Sequence, residues 1–186
     1  MTGIHKGKYT MLLTSLTGVG IGSFEGDQDI VITDCDLMMN NSFQKGVCIG
    51  SLNNNTSISI ERSLVRCTGT GQRIVILGSV DGKKAGINLR DMNYQSGIRS
   101  DNSTAAGSLM GATKLRVEKA AYKYRGVGRQ ALVYGGYSED VDIEITNADV
   151  SVDLVSDNGK LVFGSEDIIK EDYVFKTLKI NGEIKE

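Results

Sequence analysis

Apolar residues along this chain alternate with polar ones in short runs, and the runs come back at matching offsets. Ile30 and Ile32 are followed, after a polar pair, by Cys35, Leu37 and Met39, and 28 residues later Ile58, Ile60, Ser63, Val65 and Cys67 repeat the arrangement. The same spacing holds for Ile87, Leu89, Met92 and Tyr94, and for Leu115, Val117, Ala120, Tyr122 and Tyr124. It continues with Ile143, Ile145, Ala148, Val150 and Val152, then with Tyr173, Phe175, Leu178 and Ile180. Period two places such residues on one side of an extended strand, and the skipped polar pair marks a bend between two strands that keep the same side inward.

A second element recurs in step with the first. Gly18-Val-Gly-Ile-Gly-Ser23, Gly46-Val-Cys-Ile-Gly-Ser51 and Ile74-Val-Ile-Leu-Gly-Ser79 are 28 residues apart, and Leu109-Met-Gly-Ala112, Val133-Tyr-Gly-Gly136 and Val162-Phe-Gly-Ser165 read as weaker copies. Their closing glycines, Gly22, Gly50, Gly78, Gly111, Gly135 and Gly164, step by 28, 28, 33, 24 and 29. The uneven pair suggests a loop, Ser96–Gly107, inserted before the fourth copy and a deletion after it. Fixed-period repetition predicts an all-β, single-domain parallel β-helix of about six and a half coils spanning 1–186, each coil holding about three short strands; the resemblance given below implies that it is right-handed. An antiparallel sandwich would not require matching residues at matching offsets in successive segments.

Composition supports a continuous ladder, for the chain has 23 glycines and no proline, and proline is poorly tolerated in strands paired on both edges. Twenty-one basic residues nearly balance 23 acidic ones, giving a net charge of −2, so no global field points to nucleic acid or an anionic membrane. The charges are patterned locally instead. One bend column reads Lys6, Asp34, Arg62, Asp91, Lys119 and Asn147, and its neighbour reads Thr33, Glu61, Arg90, Glu118 and Thr146. Alternating signs predict cross-coil ion pairs that favour the correct register, which removes Asp34, Asp36, Glu61 and Asp91 as an acid–base cluster.

With its Gly-x-Gly-Ile-Gly-Ser turns and the segment Asp29-Ile-Val-Ile-Thr-Asp-Cys-Asp36, the chain resembles the right-handed parallel β-helix repeats of many bacterial proteins. Members of that group include polysaccharide lyases and hydrolases, adhesins, carbohydrate-binding modules and accessory domains of intracellular regulators, so the resemblance implies the architecture and not one activity.

Candidate chemistry is sparse. Catalysis on a glycoside needs a grouped set of carboxylates, and the acidic turns with Asp27, Asp29, Asp140 and Asp142 are the best material, also open to calcium. They lie four coils apart, and no groove joins them. His5 is the sole histidine, so Ser/His or Cys/His machinery is disfavoured. Cys35, Cys48 and Cys67 have no metal-ligand spacing and read as small buried hydrophobes. No cofactor is implied.

The fourth coil carries a basic run, Lys114, Arg116, Lys119, Lys123, Arg125 and Arg129 against Glu118, with Tyr122 and Tyr124 on inward columns. The candidate binding site is therefore Arg99, Arg116, Lys123 and Arg125, next to the inserted loop, for an anionic or carbohydrate ligand; nucleic acid is disfavoured. Coil ends without a sequence cap imply a protein partner or self-association. The expected role is a non-catalytic interaction, oligomerisation or effector module of a larger bacterial protein, the alternative being a cell-surface carbohydrate-binding or polysaccharide-degrading β-helix. Free cysteines and the lack of an apolar export segment place the chain as read in the cytoplasm, without a membrane span; a signal peptide in the full gene would place it at the cell surface.

Overall fold

The computed structural model describes residues 2–127, 130–136, 140–154, 160–163, 174–180 and 183–185. Tyr173, Gly164 and Ser165 lie outside these residues, as do Arg129 and Glu139, and the side chains of Phe175, Leu178 and Ile180 are not described.

Strand signal dominates, and among the described residues 13 strands join one continuous sheet. β1 (Thr2–Ser23) and β2 (Gln28–Ser51) each run most of a turn. Next come β3 (Thr56–Glu61) with β4 (Leu64–Ser79), then β5 (Lys84–Arg90) with β6 (Asn93–Ser108). β7 (Ala112–Glu118), β8 (Ala121–Val127) and β9 (Gln130–Tyr134) follow, then β10 (Val141–Leu154), β11 (Lys160–Phe163), β12 (Val174–Ile180) and β13 (Glu183–Lys185). Among the described residues all pairings are parallel except that of β12 with β13, which is antiparallel. The chain is a parallel β-helix, a solenoid of about five turns with a period near 28 residues. That is slightly fewer than the six and a half expected from the repeat. Strands also run through their bends, so a turn such as β2 is one bent strand of 24 residues and not three short ones.

The inward columns are as the period-two pattern predicts. Ile30 pairs in register with Ile58, Ile58 with Ile87, Ile87 with Leu115 and Leu115 with Ile143, and all five are buried. Each such aliphatic side chain contributes about 1.5–3 kcal/mol on burial, available only once a neighbouring rung is present. In the middle of the stack the core turns aromatic. Tyr94 stacks on Tyr122 at 4.7 Å between ring centroids and Tyr122 on Tyr134 at 5.2 Å, while Tyr94 donates to the Ala105 carbonyl at 2.9 Å. Cys35, Cys48 and Cys67 are buried free thiols, in keeping with their reading as small hydrophobes.

Two columns make the bends. Lys6, Asp34, Arg62, Asp91, Lys119 and Asn147 all have φ between 45 and 57°, the left-handed region that a residue with a Cβ enters at a cost and that Asn and Asp enter most readily. The conformation keeps the ladder intact across the bend: Arg62 N–H donates to the Arg90 carbonyl at 3.2 Å and Asp91 N–H to that of Glu118 at 3.1 Å. At the other column Gly22, Gly50, Gly78, Gly107 and Gly135 have φ from 109 to 149°.

The glycine column corrects the repeat read from sequence. Gly78 pairs with Gly107, not Gly111, so the steps are 28, 28, 29 and 28. Ser96–Gly107 is no inserted loop; it is the body of β6, with Ala105 and Ala106 where other rungs carry larger residues. The single extra residue sits between Ser79 and Ala85, since Ser51 pairs with Ser79 but Thr56 with Ala85.

A serine follows each of the first four of these glycines for a reason that repeats. Ser79 Oγ accepts from Gly82 N–H at 2.8 Å and donates to the Asn54 carbonyl of the previous turn at 3.0 Å. Ser108 does the same with Gly111 N–H and the Gly82 carbonyl, at 3.0 and 2.8 Å. These hydroxyls tie successive turns together, which accounts for the column without nucleophilic chemistry.

The charge ladder is realised in part. Arg62 grips Asp34 through Nε and Nη2 at 2.9 and 3.1 Å, and Arg90 reaches Glu61 across the rungs. Other members pair within a rung, Arg62 with Glu61 at 2.6 Å and Lys119 with Glu118 at 3.5 Å. The hydrogen bond from Arg62 holds the Asp34 carboxyl below its ordinary range, and that from Arg90 does so for Glu61. Arg62→Glu should therefore lower the melting temperature measurably, because it sets three carboxylates side by side; an unchanged melt would show that these exposed pairs carry no stability.

Candidate functional site

The solenoid sorts the four sequence candidates onto two different flanks. Arg116 sits on β7 and is already engaged. Its Nη1 and Nη2 donate to the two carboxylate oxygens of Asp142 at 3.0 and 2.9 Å, and its Nε lies 2.7 Å from Glu144. Lys114 adds a contact to Asp142 at 3.8 Å. Arg116 holds the Asp142 carboxyl below its usual range. A guanidinium used twice by its neighbours is a register clamp, and its fork is not open to a ligand.

Arg99, Lys123 and Arg125 lie together on the other flank, which is built by the runs that follow the first bend. On β4, β6, β8 and β10 the inward residues Val65, Tyr94, Tyr122 and Val150 are buried, so the residues between them face outward. Register places Arg66 beside Gln95, Gln95 beside Lys123 and Lys123 beside Ser151. The next outward column runs Asn40, Thr68, Gly97, Arg125 and Asp153. Arg99 follows Gly97 by two residues on β6, diagonally across from Arg125.

Gly97 opens a notch in this surface. A side chain there would meet only Thr68 Cγ2, at 3.6 Å. The notch belongs to a depression of about 340 Å³ between Met38, Thr68, Gln95 and Arg125. A second, of about 330 Å³, lies across the Gln95–Lys123 ridge, bounded by Asn93, Ala121, Asp149 and Lys179. The two share Gln95 and Lys123, which stand between them.

The described arginines divide by their ion pairs. Arg62, Arg66, Arg73, Arg90 and Arg116 each hold a carboxylate. Arg99, Lys123 and Arg125 are exposed and take part in none of the ion pairs among the described residues.

Comparison with protein-family models, with curated proteins and with solved structures returns no match. Function must therefore be argued from the site.

The acidic turns do not converge. Asp27 accepts from the backbone and side-chain amides of Asn55 at 3.2 and 3.4 Å, Asp142 is held by Arg116, and Asp140 is exposed. Among the described residues no three His, Cys, Asp or Glu side chains group as a metal site. Sequence reasoning missed Gln95, Asn40, Thr68 and the notch at Gly97. The signal was available, since aligning the rungs places these polar residues in the columns that carry Lys123 and Arg125.

Proposed function

We propose that the chain is a non-catalytic binding module, of the bacterial β-helix type with Gly-x-Gly-Ile-Gly-Ser turns, that holds an anionic partner on the flank formed by β4, β6 and β8. The observation that carries this reading is the exception in the ion-pair pattern. Five arginines hold carboxylates of adjacent residues or rungs, while Lys123 and Arg125, which line the depression at Gly97 beside Asn40, Thr68 and Gln95, and Arg99 on the same face take part in no ion pair among the described residues. Exposed cations pay little to stay solvated and are free to exchange water for a ligand carboxylate or sulfate.

The test uses the contradiction between local and global charge. A chain of net charge −2 should still be retained by a cation exchanger at neutral pH and low salt if its cations are concentrated on one flank. Lys123→Glu/Arg125→Glu should abolish retention, whereas Lys83→Glu/Lys84→Glu, an equal charge change in the turn after Ser79, should leave most of it. Equal loss in the two variants would sink the reading.

A further inference from the structure

The first rung of the solenoid differs from those above it. Among the described residues β1 pairs only with β2, so the other edge of Thr2–Ser23 carries no strand. Such an edge is a template on which another chain can add a strand. The side chains of this rung are uncovered with it. Tyr9 is 41% exposed where Leu37, its partner in the next rung, is fully buried, and Phe24 is 48% exposed where Leu52, 28 residues on, is 3% exposed. Ile4, Met11 and Leu13 are only partly buried against the core. Leu12 is 78% exposed at an outward position where the next two rungs carry Asn40 and Thr68. Apolar surface left bare at several columns of one rung fits a partner shaped like another rung.

Charge narrows the partner. β1 carries His5, Lys6 and Lys8 and no acid. Inside the stack a charge in these columns has a neighbour of opposite sign on each side. Asp36 lies between Lys8, at 4.0 Å, and Arg66, at 3.0 Å, and Asp34 stands between Lys6 and Arg62 in the bend column, with Arg62 at 2.9 Å. Lys6 and Lys8 have such a neighbour on one side only, and the Lys8 side chain is 88% exposed. Acids on the other side would continue the alternation. The glycine column adds a steric rule. A Cβ on Gly22 would overlap the carbonyl oxygen of Gly50, and a Cβ on Gly50 that of Gly78. A residue one rung before Gly22 would meet the Gly22 carbonyl oxygen in the same way, so only glycine fits there.

We propose that β1 is the docking edge for a partner chain, which adds one parallel strand carrying acids in register with Lys6 and Lys8, a glycine in register with Gly22 and apolar residues over Ile4, Met11 and Leu13. The parallel direction follows from the bends, because the added strand must turn at the offsets where β1 turns, at Lys6 and Gly22. A second copy of this chain is a poorer fit at either end. Face to face it brings another rung without an acid, and head to tail it presents β12, whose residues Leu178–Ile180 are already paired with β13.

The probe is a synthetic peptide of residues 28–51, since β2 meets the same demands on the neighbouring side of β1 with Asp34, Asp36 and Gly50. It should bind the purified chain, and hydrogen exchange followed by mass spectrometry should slow within Thr2–Ser23 and not around Lys123 and Arg125. Asp34→Lys/Asp36→Lys in the peptide should weaken binding about tenfold, and Gly50→Ala in the peptide about a hundredfold. Lys6→Asp/Lys8→Asp in the chain should reverse the charge preference, taking the lysine peptide over the parent one, which a merely apolar association would not do. The proposal is overturned if the parent peptide does not bind, if its lysine and alanine forms bind equally well, or if the protection falls outside β1. A chain that sediments as a dimer left intact by the peptide would overturn it in favour of a second copy.

Discussion

Gly78→Ala should prevent folding, or cost at least about 3 kcal/mol in an unfolding titration, while Gly86→Ala should stay within about 0.5 kcal/mol of the parent. Gly78 has φ of +134° and a Cβ placed on it would lie 1.9 Å from the carbonyl oxygen of Gly107. That oxygen is backbone, and Gly107 is pressed in its turn against Gly135, so nothing can yield locally. Backbone strain and overlap add, and neither can be relieved by a rotamer change. Gly86 is the control, because its added Cβ would find only the Thr56 carbonyl, at 3.9 Å. Parallel thermal melts followed by circular dichroism would settle it; equal melting temperatures for the two variants would refute the stacked-glycine account.

Alkaline pH should unfold the protein sharply, and the buried tyrosines set where. Burial pushes the Tyr94, Tyr122 and Tyr134 hydroxyls well above the ordinary tyrosine value, and the neighbouring tyrosine rings add to this for Tyr94 and Tyr122. For Cys67 the hydrogen bond with Cys48 leads and burial follows, in the same direction. The folded state thus favours the neutral forms. Their stabilising effect is complete below the values of the unfolded chain and is lost as pH rises toward the raised folded ones. Above about pH 10 three such tyrosines should together remove roughly 4 kcal/mol per pH unit. Tyrosinate absorbance should then show the Tyr94, Tyr122 and Tyr134 rings ionising only as native dichroism collapses. Smooth titration of all of them with the fold retained would contradict the buried stack.

Much of this architecture could be read from the chain because the repeat writes each structural demand several times. Ile30, Ile58 and Ile87 announce an inward column, and the six polar residues from Lys6 to Asn147 announce a bend, later seen as a left-handed conformation. The fourth glycine was misread for a physical reason. Ala105 and Ala106 are too small to look like a buried strand, so the larger Leu109 and Met110 drew the alignment to Gly111. Side-chain size decided the sequence reading, whereas backbone pairing with Gly78 decides the structure. The site was harder still. Arg116 and Arg125 look alike in the basic run, and only the residues 26 to 28 positions away distinguish them: Asp142 and Glu144 occupy the first, while Asp153 beside the second makes no ion pair with it.

The single extra residue between Ser79 and Ala85 has a further meaning. It is absorbed where the chain crosses from one rung to the next, and the columns of β5 to β8 stay aligned beyond it. The rod therefore treats rung number and turn length as independent variables. Copying one unit of 28 residues would lengthen it by about 4.8 Å without introducing any contact of a new kind. Growth by internal duplication, with novelty confined to the turns, is the evolutionary path of least resistance for such a chain.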